Sequence, residues 1–405
     1  MEYKNYQLSN ICKYRKEKIV TTKVKKEEYI STENMLANKQ GIEESKSLPQ
    51  SKSINRFEEK DILISNIRPY FKKIWFSTMM GGASPDVLII EADQSKVTPE
   101  FLYYLLSQED FFNFMVQTSK GTKMPRGDKD AIMQYKVKLF NKEKQREIVN
   151  ILSSIDEKVQ NNKLIISNLE QLSQNLFKHW FIDFEFPNEE GKPYKSSGGE
   201  MVESELGKLP KGWSIKSLDE IAKFQNGLAM QKFRPEENAG SLPVLKIKEL
   251  NQGNTTLNSE RCSLDIKKEV KVFDGDVIFS WSGTLLVKLW TGGAAGLNQH
   301  LFKVTSEKYE KWFYYLWTKH YLKIFQARAA EKATTMGHIK RSHLNDAKIN
   351  LPPEEILTRA ADLIQPIIEK IVVLGIENKN LTQLRDTLLP KLLSGEIEIP
   401  DDLEV

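Results

Sequence analysis

The side chains that most often carry catalysis are sparse in this chain of 405 residues, and they form no known catalytic pattern. His338 and His343 are five positions apart, a spacing that suits neither one face of a helix nor a zinc site. Cys12 and Cys262 are far apart, and no Gly-rich phosphate loop or dinucleotide fingerprint is present. We therefore expect a protein that is not an enzyme and that holds no cofactor or metal of its own.

Two short segments come closest to catalytic motifs. Pro85-Asp86, followed by Glu91, faintly resembles a nuclease core, but the carboxylate-x-Lys that should follow is missing, which favours a turn before a strand at Val87. Pro352-Pro353 is not part of the Asp/Asn-Pro-Pro-Tyr/Phe motif of an adenine methyltransferase, and it predicts a strand that exits into a helix. A self-sufficient nuclease or methyltransferase is the enzyme-class alternative.

Lysine and arginine side chains are the remaining candidates, as ligands of a polyanion such as duplex DNA. A solvated surface charge is the alternative interpretation for each of them. We expect the basic loop Lys120–Arg126 to correspond to Lys332–Arg341 in the second half, and the group around Arg68 to correspond to Lys288. The candidates for DNA contact are Arg68, Lys72, Lys73, Lys120, Lys123, Arg126, Lys232, Arg234, Lys246, Lys248, Lys288, Lys340 and Arg341.

The charge divides the chain into four regions, which we predict to be its domains. Residues 1–142 and 196–353 each carry a net charge of +6, whereas residues 143–195 and 354–405 carry −2 and −6. Basic regions suit a polyanionic partner, and we expect the acidic regions to face protein. The chain would then contain two basic domains, each followed by an acidic segment.

An internal duplication underlies this alternation, because matching segments recur in the same order about 210–215 positions apart. Trp75 is matched with Trp290, both expected in the core, and Met124 with Met336. The other matched segments are Leu8–Ile11 with Leu218–Ile221, Asp61–Ser65 with Asp276–Ser280, Tyr103–Leu105 with Tyr314–Leu316, Lys136–Leu139 with Lys348–Leu351, and Asn168–Leu172 with Asn380–Leu384.

The basic domains are predicted to be mixed α/β. Short β-branched and aromatic runs indicate strands, aromatic-rich runs without Gly or Pro indicate helices, and Gly pairs indicate loops. The predicted strands are Lys60–Ser65, Val87–Ile90, Asp274–Ser280 and Leu301–Val304; the predicted helices lie around Phe101–Leu106 and Trp312–Trp317; and loops are expected at Gly81-Gly82, Asn226-Gly227 and Gly292-Gly293.

The acidic segments are predicted to be two long helices, the first over Glu143–Lys178, that pack as an antiparallel coiled coil. A pair of ordinary amphipathic core helices is the alternative. Asn162 and Ser173 occupy two seam positions, and Pro366 should kink or interrupt the second helix. The apolar seam residues are Ile148, Leu152, Ile155, Val159, Ile166, Leu169, Ile364, Ile367, Ile371, Leu374 and Leu381.

Several segments, taken with the duplication, resemble the specificity subunits of type I restriction–modification enzymes over essentially the whole chain. The first half lacks the Leu-Pro-x-Gly-Trp opening, and Asn141-Lys142-Glu143 stands where Pro-Pro-Glu is usual. The segments that carry the resemblance are Leu176–Phe181, Leu209–Trp213, Gly275–Ser280, Leu297–His300, Leu351–Glu355 and Leu388–Ile397.

This resemblance implies an α+β protein with two target recognition domains, each of which reads one half of a bipartite DNA site. It implies paired helices that act as a spacer and dock two modification subunits, which would carry S-adenosylmethionine. A restriction subunit would add translocation and cleavage driven by ATP and Mg²⁺. The runner-up hypothesis is a stand-alone DNA-binding regulator. Reduced cysteines and the absence of long apolar runs predict a cytoplasmic protein without a membrane partner.

Overall fold

The computed structural model describes residues 3–331 and 337–399. The chain divides into two compact units, the first formed by Met1–Glu157 with Gln383–Val405 and the second by Lys158–Thr382. Each unit therefore contains one basic region and parts of both long helices. Lys332 to Met336, within the predicted basic loop of the second half, lie outside the described residues, and so does the predicted match of Met124 with Met336.

The first unit is built on two four-stranded sheets. One has the order β2-β9-β6-β7 and is antiparallel; the other has the order β3-β5-β8-β4, in which β4 runs parallel to β8. The strands are β1 Lys4–Gln7, β2 Cys12–Tyr14, β3 Lys18–Val20, β4 Tyr29–Ile30, β5 Ser53–Phe57, β6 Ile62–Ser65, β7 Ile74–Phe76, β8 Gly81–Ala83, β9 Val87–Ala92 and β10 Lys136–Leu139. The helices are α1 Pro99–Leu106, α2 Glu109–Gln117, α3 Lys129–Met133 and α4 Lys142–Phe181, the last of which continues into the second unit.

The second unit repeats most of this plan. Its sheets have the orders β14-β21-β18-β19 and β16-β15-β20-β17, and β15 runs parallel to β20. The strands are β11 Met201–Ser204, β12 Gly207–Pro210, β13 Ser214–Ser217, β14 Lys223–Asn226, β15 Ser241–Leu245, β16 Arg261–Ser263, β17 Lys271–Val272, β18 Val277–Ser280, β19 Leu286–Leu289, β20 Ala295–Leu297, β21 Leu301–Thr305 and β22 Lys348–Leu351. The helices are α5 Leu218–Ile221, α6 Ile247–Gln252, α7 Lys311–Glu331, α8 Arg341–Asp346 and α9 Glu354–Ser394, the last of which extends into the first unit.

The two units share the strand order of the first sheet and of three strands of the second, since β5-β8-β4 corresponds to β17-β20-β15. The fourth strand of the second sheet differs, because β3 pairs with β5 whereas β16 pairs with β15. The registers of corresponding pairs agree. Ile30 opposes Ala83 in the parallel pair of the first unit, and Leu245 opposes Leu297 in that of the second. Gln7 opposes Lys136 where β1 meets β10, and Ser217 opposes Lys348 where β13 meets β22. The predicted duplication and the mixed α/β fold are thus confirmed.

One predicted loop and one predicted match between the halves were wrong. Gly81 and Gly82 lie in strand β8 rather than in a loop. A Cβ at Gly82 would lie 2.2 Å from the Ile54 side chain, so this position of the strand has no room for a larger residue. Trp75 pairs with Leu63 in β6. In the second unit the residue at this place, opposite Ile278 in β18, is Lys288 and not Trp290. The segment between β6 and β7 is longer than the segment between β18 and β19, so residues after this segment correspond at a different sequence offset.

The long helices α4 and α9 run antiparallel within each unit. In the first unit, Asp156 lies 2.6 Å from Arg385, and the earlier Lys144 contacts the later Ile399. In the second, Asn162 bonds to Glu377, whereas Phe181 at the end of α4 bonds to Asn350 just before α9 begins. Contrary to the predicted interruption, α9 is continuous through Pro366.

Most predicted seam positions of these helices are buried. Asn162 and Ser173, the polar seam residues, are 0% and 1% exposed. The register shifts by one position at Ile368, which is buried although the spacing favoured its neighbour Ile367. Of the apolar seam residues, Ile148, Leu152, Ile155, Val159, Ile364, Ile371 and Leu374 are buried, whereas Ile166, Leu169, Ile367 and Leu381 are partly exposed.

Across residues 3–331 and 337–399, no helix is both long enough and apolar enough to cross a membrane.

Candidate nucleic-acid interface

In the first unit, main-chain hydrogen bonds join the loop that follows β6 to the loop that precedes α3. Gly127 N donates to Asn66 O at 3.0 Å, and Arg68 N donates to Pro125 O at 2.8 Å. Lys120 and Arg126 exchange two further main-chain bonds of 2.9 Å. We call residues 65–68 and 119–128 together the first loop pair. Its shape is fixed by the backbone, so its side chains can vary without loss of the scaffold.

The second unit contains the same arrangement. Ile339 N donates to Trp281 O at 3.0 Å, and Gly283 N donates to Gly337 O at 2.9 Å. We call residues 280–283 and 337–340 the second loop pair. Ser65 and Ser280 make the same 3.1 Å bond from the hydroxyl to the carbonyl two residues ahead. The backbone therefore identifies which positions of the two units correspond.

Arg68 corresponds to Gly283 on this basis, and three further pairs of positions correspond as well. Asn66 takes the place of Trp281, and Arg126 takes the place of His338. Asn66 N donates to Asp86 O at 2.8 Å, and Trp281 N donates to His300 O at 3.4 Å, so Asp86 corresponds to His300. Within these corresponding backbones, all three side chains differ in chemistry.

Four predicted DNA ligands meet in the first loop pair. Arg68 and Lys123 are exposed and form no ion pair with the residues that the structure describes. Lys120 Nζ lies 2.5 Å from Asp128, and Arg126 lies 3.1 Å from Asp86. The Lys120 and Arg126 side chains remain 81% and 56% exposed, so the loop pair presents cationic groups to solvent.

Lys72 and Lys73 lie beside this surface but are more engaged with the protein. Lys72 forms an ion pair with Glu109, and Lys73 Nζ donates to Thr32 O at 2.5 Å. Burial lowers the pKa of Lys73. Arg68 and Lys72 have φ angles of 50° and 52°, a left-handed conformation that costs free energy for residues other than Gly and that is concentrated at functional sites.

The segment between these two strained residues presents aromatic rings to solvent. Tyr70 and Phe71 are 47% and 39% exposed, and their ring centroids are 4.8 Å apart. Exposed aromatic side chains next to cations can contact nucleic acid through sugar and base faces. The spacing of the lysines did not reveal this feature, because only the fold exposes the two rings.

The candidates of the second unit are spread over several elements. Lys232, Arg234, Lys248 and Lys340 are exposed, whereas Lys246 forms an ion pair with Glu260. The Arg341 guanidinium lies 5.8 Å from the centre of the Phe302 ring. Lys288 donates to Asn251 O at 2.7 Å, and burial lowers its pKa.

The expected counterparts in the second unit need correction. Lys288 stands where Trp75 stands in the first unit and not beside the group around Arg68, as the strand registers show. Lys340 precedes α8 where Asp128 precedes α3, so it corresponds to an acidic residue. Whether each of the thirteen cations contacts DNA stays a prediction.

Sequence reasoning missed the aromatic and imidazole groups of the second loop pair. Trp281 lies between His300 and His338, with ring centroids 6.0 and 6.4 Å away. His300 Nδ1 lies 3.0 Å from Ser282 Oγ. No sequence motif marks this group of side chains, because His300 and His338 are distant in sequence and do not have a metal-binding spacing. Among the described residues, no group of three or more His, Cys, Asp or Glu could hold a metal ion.

Two repeated α/β units, whose loop pairs share one backbone framework and differ in side chains, define a duplicated α/β protein. The family model described as type I restriction modification DNA specificity domain matches residues 1–171 and 210–383. The chain belongs to this family, the specificity subunits of type I restriction–modification systems.

Individual relatives agree with this assignment. The chain is 30% identical over 315 residues to the type I restriction enzyme MjaIX specificity subunit of Methanocaldococcus jannaschii, a match that covers 75% of this chain and 70% of the relative. It is 24% identical to the HindI specificity subunit of Haemophilus influenzae, over 98% of this chain and all of the relative. The crystal structure of the type I S subunit from M. genitalium has the same fold, with a TM-score of 0.57 at 15% identity over 99% of this chain and 97% of that one.

Proposed function

We propose that this chain directs a type I restriction–modification complex to a bipartite DNA sequence, with one unit for each half-site. The observation that carries the proposal is the pair of corresponding loop backbones with different side chains. A scaffold that is used twice, with different contact residues, suits the reading of two different half-sites. Exposed cations such as Arg68 and Lys123 in the first unit and Lys340 in the second would contact phosphates and position the protein, while side chains that reach base edges would specify the sequence.

The long helices suit a second role, the docking of modification subunits. The helices α4 and α9 themselves carry net charges of only +1 and −1, because the acidic excess of residues 143–195 and 354–405 lies mostly outside them, so neither helix has the basic excess that favours contact with DNA. Within the second unit, α4 exposes Leu164 and Leu172 at 62% and 46%, and α9 exposes Leu363 and Val373 at 50% and 55%. Large exposed apolar side chains on helices mark surfaces that other proteins cover.

In this proposal the chain itself transfers no methyl group and cuts no DNA. Two modification subunits would carry S-adenosylmethionine and the methyl-transfer chemistry, and a restriction subunit would supply the ATP- and Mg²⁺-dependent steps. The complex would act on cytoplasmic DNA. The reduced state of Cys12 and Cys262, both of which are free and buried, is consistent with that compartment.

The decisive experiment maps DNA methylation in host cells with and without this chain. We expect a split methylated motif that disappears when the chain is removed and reappears when it is restored. Replacement of residues 1–142 by those of another family member should change one half of the motif only. A change in both halves, or in neither, would contradict the assignment of one unit to each half-site.

A stand-alone DNA-binding regulator is the competing function, and no relative found by comparison supports it. Copurification separates the two. The full chain should retain modification subunits through purification, and DNA incubated with the complex and S-adenosylmethionine should become methylated. A chain that binds a single undivided site tightly and retains no methyltransferase would be a regulator. Methylation or cleavage by the pure chain alone would instead make it an enzyme.

A further inference from the structure

In and beside the two loop pairs, three positions with corresponding backbones carry side chains of different chemistry. The first unit has Asn66, Asp86 and Arg126 there, and the second has Trp281, His300 and His338. An amide, a carboxylate and a guanidinium thus replace three aromatic rings on one main-chain framework. Residues that only support the framework would not need to differ, since Ser65 and Ser280 keep the same bond in both units.

Arg126 has the geometry of a base-reading residue. Its guanidinium has five donors, and one nitrogen lies 3.1 Å from Asp86, a contact that orients the side chain while 56% of it remains exposed. Lys120 pairs with it through the main chain, Arg68 lies on the adjoining loop, and Lys123 lies in the turn between Lys120 and Arg126. A central oriented arginine among flanking cations matches a guanine contact surrounded by phosphate contacts.

A polar atom without a partner marks the same position in each unit. Asn66 Oδ1 and Trp281 Nε1 are both buried and have no hydrogen-bond partner among the described residues. Each of these atoms is buried at a desolvation cost, and the two atoms lie at corresponding positions of the two units. One is an acceptor and the other a donor, so the two units differ in polar chemistry at this position.

We propose that these corresponding positions are the specificity-determining residues of the two half-sites, a proposal that rests on the function proposed above. Arg126, held by Asp86, reads a guanine in the half-site of the first unit. His338 and His300, which flank Trp281, read the corresponding base pair in the half-site of the second unit. Because neither imidazole offers the two parallel donors of a guanidinium, the second half-site is not read by an arginine fork at this position.

The test uses the full chain, assembled with its modification subunits, and selection from a pool of random duplex DNA. We expect Arg126→Ala to abolish the preference for guanine at one position of one half-site, with a roughly ten- to hundredfold loss of discrimination there. Arg126→Lys should keep the charge and lose most of this discrimination, since lysine is a point charge without a fork. His338→Ala should alter one position in the other half-site only.

Lys123→Ala is the matched control, an exposed cation of the same loop that we expect to contact phosphate. It should weaken binding to all sequences to the same extent and leave the selected motif unchanged. Unaltered motifs for both Arg126→Ala and His338→Ala, or changes in both halves from either one, would overturn the inference. If the unsubstituted protein selects no split motif, the proposed function itself fails, and the two failures are thereby distinguished.

Discussion

Asn162 has no exposed surface and donates from Nδ2 to Glu377 Oε2 over 2.9 Å, joining α4 to α9 within the second unit. Glu377 also pairs with Lys158 at 3.5 Å, so one carboxylate serves two residues of α4. A polar residue in an apolar helix seam lowers stability but selects one register, because other registers leave it without its partner.

Asn162→Ala is expected to lower the free energy of unfolding by about 1 kcal/mol, since it removes a hydrogen bond at a fully buried site. Chemical denaturation of the full chain measures this. Asn175→Ala, at an exposed position of the same helix, is the control and should stay within about 0.5 kcal/mol of the original protein. Equal stability of the Asn162 and Asn175 variants would show that this bond contributes nothing.

Arg385 links the two long helices in the first unit. Its guanidinium lies 2.6 Å from Asp156, which also accepts a 2.9 Å bond from Tyr104. Burial alone would lower the pKa of Arg385, but the nearby carboxylates of Asp156 and Asp386 raise this pKa. The guanidinium therefore stays charged. Loss of one partner from a buried pair costs roughly 3–5 kcal/mol.

We expect Arg385→Ala to lower the free energy of unfolding by about half of this cost for a buried pair, because the Arg385 and Asp156 side chains are still 19% and 27% exposed. The melting temperature of the full chain measures this effect. Lys192→Ala breaks the exposed pair with Glu190 and should change stability by less than about 1 kcal/mol. A loss at Arg385 no greater than at Lys192 would argue against a structural role for the buried pair.

Gly227 packs against the segment that leads to His300. A Cβ there would lie 2.2 Å from Asn298 O and 2.3 Å from Leu297 O, both of them backbone atoms that cannot rotate away. Gly227→Ala should lower stability by about 1–3 kcal/mol and weaken recognition of one half-site. At Gly240, an added Cβ meets the flexible Leu264 side chain, so Gly240→Ala is the control. Similar melting temperatures and binding for both variants would contradict the prediction.

Substitutions of exposed lysines and of lysines that bond to the main chain should differ in their effect on the salt dependence of DNA binding. Lys123 and Lys248 are exposed, and each substitution by Ala should reduce the slope of log affinity against log salt by about 1. Lys73 and Lys288 donate to main-chain carbonyls, and burial lowers the pKa of each. Their substitution by Met should leave the slope unchanged. A reduced slope for Lys73→Met or Lys288→Met would place these residues on the phosphate backbone.

Both cysteines should resist alkylation in the native protein. Burial raises the pKa of Cys12 to about 12 and also raises the pKa of Cys262, so both thiols stay protonated at pH 8. The thiolate is the reactive form. Mass spectrometry after iodoacetamide treatment should find little modification until denaturant is added. Rapid labelling of either residue in the folded chain would show that the site opens or that the thiol is accessible.

Local pattern was enough to locate the elements that are built from their own residues. Val87–Ile90 lies within β9, Leu301–Val304 lies within β21, and Phe101–Leu106 lies within α1. The periodicity of α4 identified most of the positions that are buried along its seam, including Asn162, although Ile166 and Leu169 are partly exposed. The strands could be located because strands buried on both faces need runs of apolar residues, as in Val87–Ile90. The helix could be located because helix pairing imposes a period of about 3.5, which can be counted along a sequence.

By itself, the sequence determined that this protein contains two copies of one module, that each module is mixed α/β, and that the modules alternate with long helices. Only the tertiary structure decided that Arg126 corresponds to His338, that Asp86 corresponds to His300, and that Lys288 is half-buried. These pairings depend on hydrogen bonds between segments far apart in the chain, and turns of unequal length shift any alignment of letters. In the proposed function, the residues that make recognition specific are those in which the two copies differ, so similarity between the halves cannot reveal them.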